Sequence, residues 1–260
     1  MTRQHWPSTT GTARGRVLLL HGLSSIADSW WRMGPALAED GWDVVAVDQA
    51  GHGGRPVSDP VSPARLAEAV RDQVPSGPDV LIGHSLGALT ALALLDADPG
   101  WARRVILEDP PTIDKDGTTG DLARSIRADH ALLPGGRADL LDRVRRDCPR
   151  WDDRDVHWAV EGIARMNPEP FARWLEGDAD VRPQFQLAER VLSLAETPFL
   201  IVAPRARPFG AGGSALVDPD RAVLERKLAP DHLITIDGGH CLHRDAPAEW
   251  LAAVRGILGD

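Results

Sequence analysis

The sequence predicts an α/β fold with a mostly parallel sheet, helices on both faces and an inserted run of helices. Three observations carry this. Short apolar runs alternate with helical patterns along most of the 260 residues, as in successive β-α-β units. One run, Val80-Leu81-Ile82, leads into Gly83-His84-Ser85-Leu86-Gly87 and then an Ala- and Leu-rich stretch, a strand–turn–helix passage. Between 110 and 197 no strand pattern occurs and only amphipathic stretches remain.

The strands are expected at Arg16–Leu20, Trp42–Val47, Asp79–Gly83, Arg103–Leu107, Phe199–Ala203 and His232–Ile236. Most are continuous apolar runs, as strands covered on both faces require. The helices between them are expected at Met33–Asp40, Pro63–Gln73, Leu86–Asp96, Pro219–Leu228 and Pro247–Leu258. Pro63, Pro219 and Pro247 fall in first turns, where a missing N–H costs little. The insertion carries helical patterns at Asp121–Leu132, Ala138–Asp147, Asp152–Arg165, Glu169–Glu176 and Gln184–Leu194. It is far longer than an ordinary crossover. The expected organisation is a core from 1–109 and 198–260, with a helical lid, 110–197, over the C-terminal edge of the sheet, where open α/β folds bind ligands.

Composition narrows the function. The formal charge is −9 and no long Lys/Arg run occurs, which argues against a nucleic-acid partner. No early apolar run is long enough to span a bilayer, and the polar first fifteen residues lack a signal-peptide core. Two cysteines, Cys148 and Cys241, make no disulfide framework and fit a reducing, cytoplasmic setting. No cysteine cluster suggests zinc, so no metal or other cofactor is expected. Tyrosine is absent and tryptophan occurs nine times, which excludes any mechanism built on a Tyr hydroxyl. Gly51-x-Gly53-Gly54 lacks the spacing of a dinucleotide fingerprint, and no phosphate-binding P-loop occurs.

The chemistry-bearing residues follow from position. In a G-x-S-x-G turn the serine is held in strained backbone geometry at a helix N-terminus, where negative charge is stabilised. Ser85 is thus the expected nucleophile. The backbone N–H groups of Leu23, in the loop after the first strong strand, and of Leu86, just after the nucleophile, are the expected oxyanion donors. His21 is expected to hold that loop. His240, in Gly238-Gly239-His240 after the last strand, is the expected general base, with His243 as the alternative. Trp30 and Trp158 are expected to line the substrate pocket. Trp31, Trp151 and Trp174 also lie near the oxyanion loop or in the lid, and several tryptophans must be core. His130 and His157 are expected at the surface.

The chain resembles the α/β-hydrolase superfamily along nearly its whole length. The likeness rests on His21-Gly22, Asp48-Gln49-Ala50-Gly51-His52-Gly53, Gly83-His84-Ser85-Leu86-Gly87 and Gly238-Gly239-His240, in the family's order. Leu107-Glu108-Asp109-Pro110-Pro111 resembles a bacterial subgroup. Only residues 1–15 precede the strand at Arg16, so a sheet of six or seven strands is implied in place of eight. The family most often carries its acid after the strand that here is Phe199–Ala203. The loop there has no carboxylate before Asp218, and Ser214 stands in the acid's place. Other branches carry the acid at the end of the preceding strand, which is Asp109. Asp109 is therefore expected to complete the triad, with Asp218 second and Glu108 third.

The resemblance implies a serine hydrolase acting on a small-molecule carboxylic ester or lactone. It also leaves open C–C bond hydrolysis, thioester cleavage, cofactor-free peroxidation and a non-enzymatic ligand-binding role on the same fold. Epoxide hydrolases and haloalkane dehalogenases use an Asp nucleophile, which Ser85 replaces here.

Overall fold

A computed structural model describes residues 3–112, 119–177, 186–204 and 213–259. Seven strands form one sheet in the order β1-β3-β2-β4-β5-β6-β7. They are β1 Arg3–Trp6, β2 Arg16–Leu20, β3 Asp43–Val47, β4 Val80–His84, β5 Arg104–Glu108, β6 Phe199–Val202 and β7 Leu233–Thr235. All pairings are parallel except β1 with β3 at the edge. Six strands match the sequence expectation within a residue or two. β1 is the addition, and its four-residue Arg-Gln-His-Trp run is too short and polar to stand out.

The helices are α1 Met33–Glu39, α2 Pro63–Gln73, α3 Leu86–Ala97, α4 Thr119–Leu132, α5 Ala138–Asp147, α6 Asp153–Ala164, α7 Pro168–Glu176, α8 Leu187–Ser193, α9 Asp220–Lys227, α10 Leu242–Asp245 and α11 Pro247–Leu258. The expected pattern at Gln184–Leu194 lies partly outside the described residues; its remainder is α8.

Strand side chains alternate between two buried layers. Leu18, Leu20, Val45, Leu81, Leu107 and Val202 face α2, α3, α8 and α9. Val17, Leu19, Val44, Ile82, Ile106 and Ile201 face α1 and α11, where Trp250 and Val254 pack. Ten consecutive residues of α3, Leu86 to Leu95, are buried. A helix that is apolar all round belongs in such a central place.

Of the five described helices between β5 and β6, four gather over the C-terminal edge of the sheet. Phe171, Trp174 and Leu175 of α7 and Ile126 of α4 pack on Leu86 and Leu89 of α3 and on Ala50 and Leu66. α5 and α6 pack beside them through Leu140, Val160 and Ile163. α8 differs: Leu187, Ala188 and Val191 join the core layer with α3. No described helix is long and apolar enough to cross a membrane.

Candidate active site

Parallel strands end together at one edge, so the loops after β2, β4, β5 and β6 converge there. Ser85 follows β4 directly, with φ 52° and ψ −114°, a region that non-glycine residues rarely occupy. Two glycines make the turn possible. A Cβ on Gly83 would sit 2.4 Å from the Gly87 carbonyl oxygen, and one on Gly87 would sit 2.3 Å from that of Leu20. Neither position admits a side chain, so α3 starts hard against the end of β2.

His240 follows β7 and closes over the serine. Its Nε2 lies 2.9 Å from Ser85 Oγ. Its Nδ1–H donates to Asp109 Oδ2 at 2.7 Å. Asp109 ends β5 at φ 40° and is fully buried. Its carboxylate also accepts from Ala215 N on Oδ2 at 2.7 Å, and from Ser214 Oγ at 2.5 Å and Ala203 N at 3.2 Å on Oδ1. Four donors around one carboxylate fix its position.

Ser214 thus occupies the place where the sequence lacks an acid, and it reaches the acid supplied by the neighbouring strand. Thr112 N–H donates to the Ala215 carbonyl at 2.9 Å, and Val217 N–H donates to Thr112 Oγ1 at 2.8 Å. The segment 214–217 is thereby stitched along 109–112. Asp218 is exposed and takes no part in the bond to His240 Nδ1. Residues 205–212 of the same loop lie outside the described residues.

Glu108 points to the other side of the strand, as alternation requires. It accepts from His243 N at 2.9 Å and from His243 Nδ1 at 2.8 Å. His243 is buried, stacks on Trp30 at 4.4 Å between ring centroids, and makes no contact with Ser85. Burial raises the Glu108 carboxyl above its ordinary range and holds the His243 imidazole well below its own. This pair anchors α10 to β5 and so fixes the loop that carries His240.

Leu23 and Leu86 both line the cavity at Ser85. Leu86 opens α3, so its N–H has no carbonyl one turn back. The loop carrying Leu23 is held from behind by two histidines. His21 Nδ1–H donates to the Gly22 carbonyl at 2.8 Å while Nε2 accepts from Gln49 N at 3.1 Å. His52 Nε2 accepts from Ser24 N at 3.2 Å while Nδ1–H donates to the Ala50 carbonyl at 3.3 Å. A ring that must accept at one nitrogen must be neutral. Burial accordingly lowers both imidazoles, His52 far below the ordinary value. Asp48 joins this support by accepting from Ala27 N at 2.7 Å. Gly22 is needed because a Cβ there would lie 2.7 Å from His84 Nδ1 and 3.2 Å from Ser85 Cβ.

The cavity at Ser85 has a volume of about 240 Å³. Leu89, Pro111, Leu122, Ile126, Trp174 and Leu175 make its walls largely apolar, with Ser125 and Asp129 among them, and Ser85 and His240 also line it. A second chamber of about 200 Å³ adjoins it and shares Leu23, Ser24, His84, Asp129 and Cys241. A larger cavity of about 380 Å³, near Arg103, Phe199 and His232, lies at the opposite ends of the strands, away from this chemistry.

Two sequence expectations about the pocket need correction. Trp30 is fully buried in the core, against His243 and Trp250, and does not reach the cavity. Trp158 lies outside the linings of both chambers and meets His157 at 4.7 Å. α6 turns Ala159 and Ile163 toward the second chamber, and Trp158, about 100° round the helix from Ala159, points elsewhere. Trp174 and Trp151 are the tryptophans that line the two chambers. Among the described residues no group of three His, Cys, Asp or Glu side chains could hold a metal ion.

Comparison with known proteins agrees with this architecture. A model of the Alpha/beta hydrolase family matches residues 17–254. The chain is 26% identical over 255 residues to lipase LipV of Mycobacterium tuberculosis, covering 94% of this chain and 93% of that protein. It is 34% identical over 296 residues to epoxide hydrolase A of the same organism, covering 93% of this chain and 89% of the relative. The crystal structure of the enol-lactonase from Burkholderia xenovorans LB400 shares the fold at a TM-score of 0.69 and 19% identity, over 99% of this chain and 96% of that one. With this match along nearly its whole length, the chain belongs to the alpha/beta hydrolase family of enzymes.

Proposed function

We propose that the protein is a serine hydrolase that cleaves a carboxylic ester or lactone of a small, partly apolar substrate through an acyl-enzyme on Ser85. One observation carries the reading: Ser85 Oγ, His240 and Asp109 form a continuous hydrogen-bonded line, at 2.9 and 2.7 Å, and its Ser85 and His240 line a largely apolar cavity. The similarity to a protein named as a lipase supports an ester substrate.

The residues take their roles from this geometry. Ser85 Oγ attacks the carbonyl carbon as its proton passes to His240 Nε2. Asp109 holds Nδ1–H and stabilises the imidazolium that forms. The N–H groups of Leu23 and Leu86 receive the oxyanion. His240 then gives its proton to the leaving oxygen, and water repeats the sequence on the acyl-enzyme. α4 and α7 wall the cavity and act as the lid that selects the substrate.

Turnover of p-nitrophenyl butyrate by the native chain and by Ser85→Ala tests the proposal. A folded Ser85→Ala protein should lose activity by about 10³-fold or more. Undiminished turnover by that variant would reject the mechanism.

A further inference from the structure

The second chamber holds a charge that the triad does not use. Arg244, on α10 four residues beyond His240, lines this chamber and is 4% exposed. Its guanidinium lies over the Trp151 ring at 4.6 Å. Nη2 donates to Ser25 Oγ at 3.0 Å, and Nε is buried with no acceptor.

No described carboxylate pairs with it. Each neighbouring acid is already engaged. Asp129 and Asp147 line the same chamber, but both face Arg143, which lines it with them. Asp245 accepts from Trp151 Nε1 at 3.0 Å and from Gly239 N at 2.9 Å. Asp155 takes Trp31 Nε1 and Arg32. A buried cation without a counter-ion is costly to keep, and its N–H fork matches a carboxylate.

We propose that Arg244 binds a carboxylate of the substrate, so that the enzyme acts on small esters or lactones carrying an anionic group. This deepens the serine-hydrolase reading and rests on it. The apolar chamber takes the hydrocarbon part. The chamber between α5, Trp151 and α10 takes the charged end, and Ser85 and His240 meet the scissile bond where the two chambers join. A planar guanidinium fixed by Trp151 and Ser25 loses little freedom when an anion arrives.

The test is equilibrium binding to Ser85→Ala protein at low ionic strength. The probes are the monomethyl esters of the dicarboxylic acids from succinic to suberic, each against its dimethyl ester. At least one monoanion should bind ten- to a hundredfold tighter than its neutral diester, as charge-assisted hydrogen bonds provide. Arg244→Gln should abolish that preference and leave diester affinity unchanged, and Arg244→Lys should restore part of it. Equal affinity of monoanion and diester throughout the series would overturn the proposal with Arg244 intact, whether or not the glutamine variant folds. So would a preference that survives in Arg244→Gln. Turnover of neutral p-nitrophenyl butyrate separates the two readings. An ester hydrolase without anion preference loses only this proposal, whereas an anion-selective protein without Ser85-dependent turnover loses the serine-hydrolase reading and with it the substrate class, and keeps only an anion site at Arg244.

Discussion

Replacing Asp109 by asparagine removes one negative charge from the site and turns one acceptor oxygen into an N–H donor. The carboxylate receives Ser214 Oγ and Ala203 N on Oδ1, and Ala215 N and His240 Nδ1 on Oδ2. Two partners can reverse: Ser214 can turn its hydroxyl round to accept, with the Leu216 carbonyl 3.4 Å away to take its proton, and His240 can accept at Nδ1 in its other tautomer. The first puts the amide nitrogen at the Oδ1 place and leaves the ring as it is; the second stops Nε2 from accepting the Ser85 proton and costs more in kcat. In the first arrangement the amide oxygen keeps Ala215 and His240, and Ala203 N–H loses its acceptor. One unsatisfied buried donor costs about 1–3 kcal/mol. Adding the weakened remaining bonds, and crediting the relieved burial of a charge, gives a net loss of about 2–3 kcal/mol. In a chain of this size that lowers Tm by about 4–10 °C. In the same arrangement His240 keeps its orientation and tautomer but loses the charge that stabilises its protonated form. At about 4 Å and an effective dielectric near 20 that attraction is about 4 kcal/mol, or on the order of 10³ in kcat. The assay is kcat on p-nitrophenyl butyrate beside a thermal melt, with Asp218→Asn and Glu108→Gln as controls within tenfold of the native rate. An Asp109→Asn protein that keeps more than a tenth of native kcat, or an Asp218→Asn protein that loses as much as Asp109→Asn, would refute the assignment of the acid.

Gly22→Ala places a methyl 2.7 Å from His84 Nδ1 and should push the Leu23 N–H off the oxyanion, lowering kcat about 100-fold; a kcat within threefold of native would show that this loop does not serve the reaction. Trp174→Ala enlarges the apolar cavity and should shift the ratio of kcat/KM between octanoate and butyrate esters about tenfold toward the longer chain; an unchanged ratio would remove α7 from substrate selection. Burial lowers the imidazoles of His21, His52, His84 and His243, so the unfolded chain binds protons near pH 6.5 that the native chain refuses. The stability they contribute is complete above that pH and is lost below it. Glu108, Asp28, Asp129 and Asp245, raised by burial, oppose them in part, and the net is a loss of stability from pH 7 to pH 5; urea melts with equal midpoints at pH 7 and 5 would contradict this.

The sheet was legible because its strands are apolar on both faces and therefore stand out as unbroken runs. β1 was not, since an edge strand with one neighbour needs no apolar run, and Arg3–Trp6 is polar at all but Trp6. That Ser85 and His240 would meet was legible, because a strained turn and a short loop demand particular residues at fixed places. Asp109 emerged only because the usual position was empty. The role of Ser214 had no signal, since a lone serine in a loop says nothing of what it faces. Tryptophan abundance misdirected the pocket: a large apolar ring serves a core as readily as a cavity wall, and the core took Trp30. Arg244 was invisible for the same reason in reverse, because the absence of a counter-ion is a property of the packed neighbourhood.

The most direct test of the central claim is covalent. A fluorophosphonate should add one equivalent of mass to the native protein, on the peptide carrying Ser85, with activity lost in proportion. His240→Ala should label far more slowly while retaining the native fold, because the proton acceptor 2.9 Å from Ser85 Oγ is gone. Inactivation with the adduct on another residue and Ser85 unmodified would contradict the account.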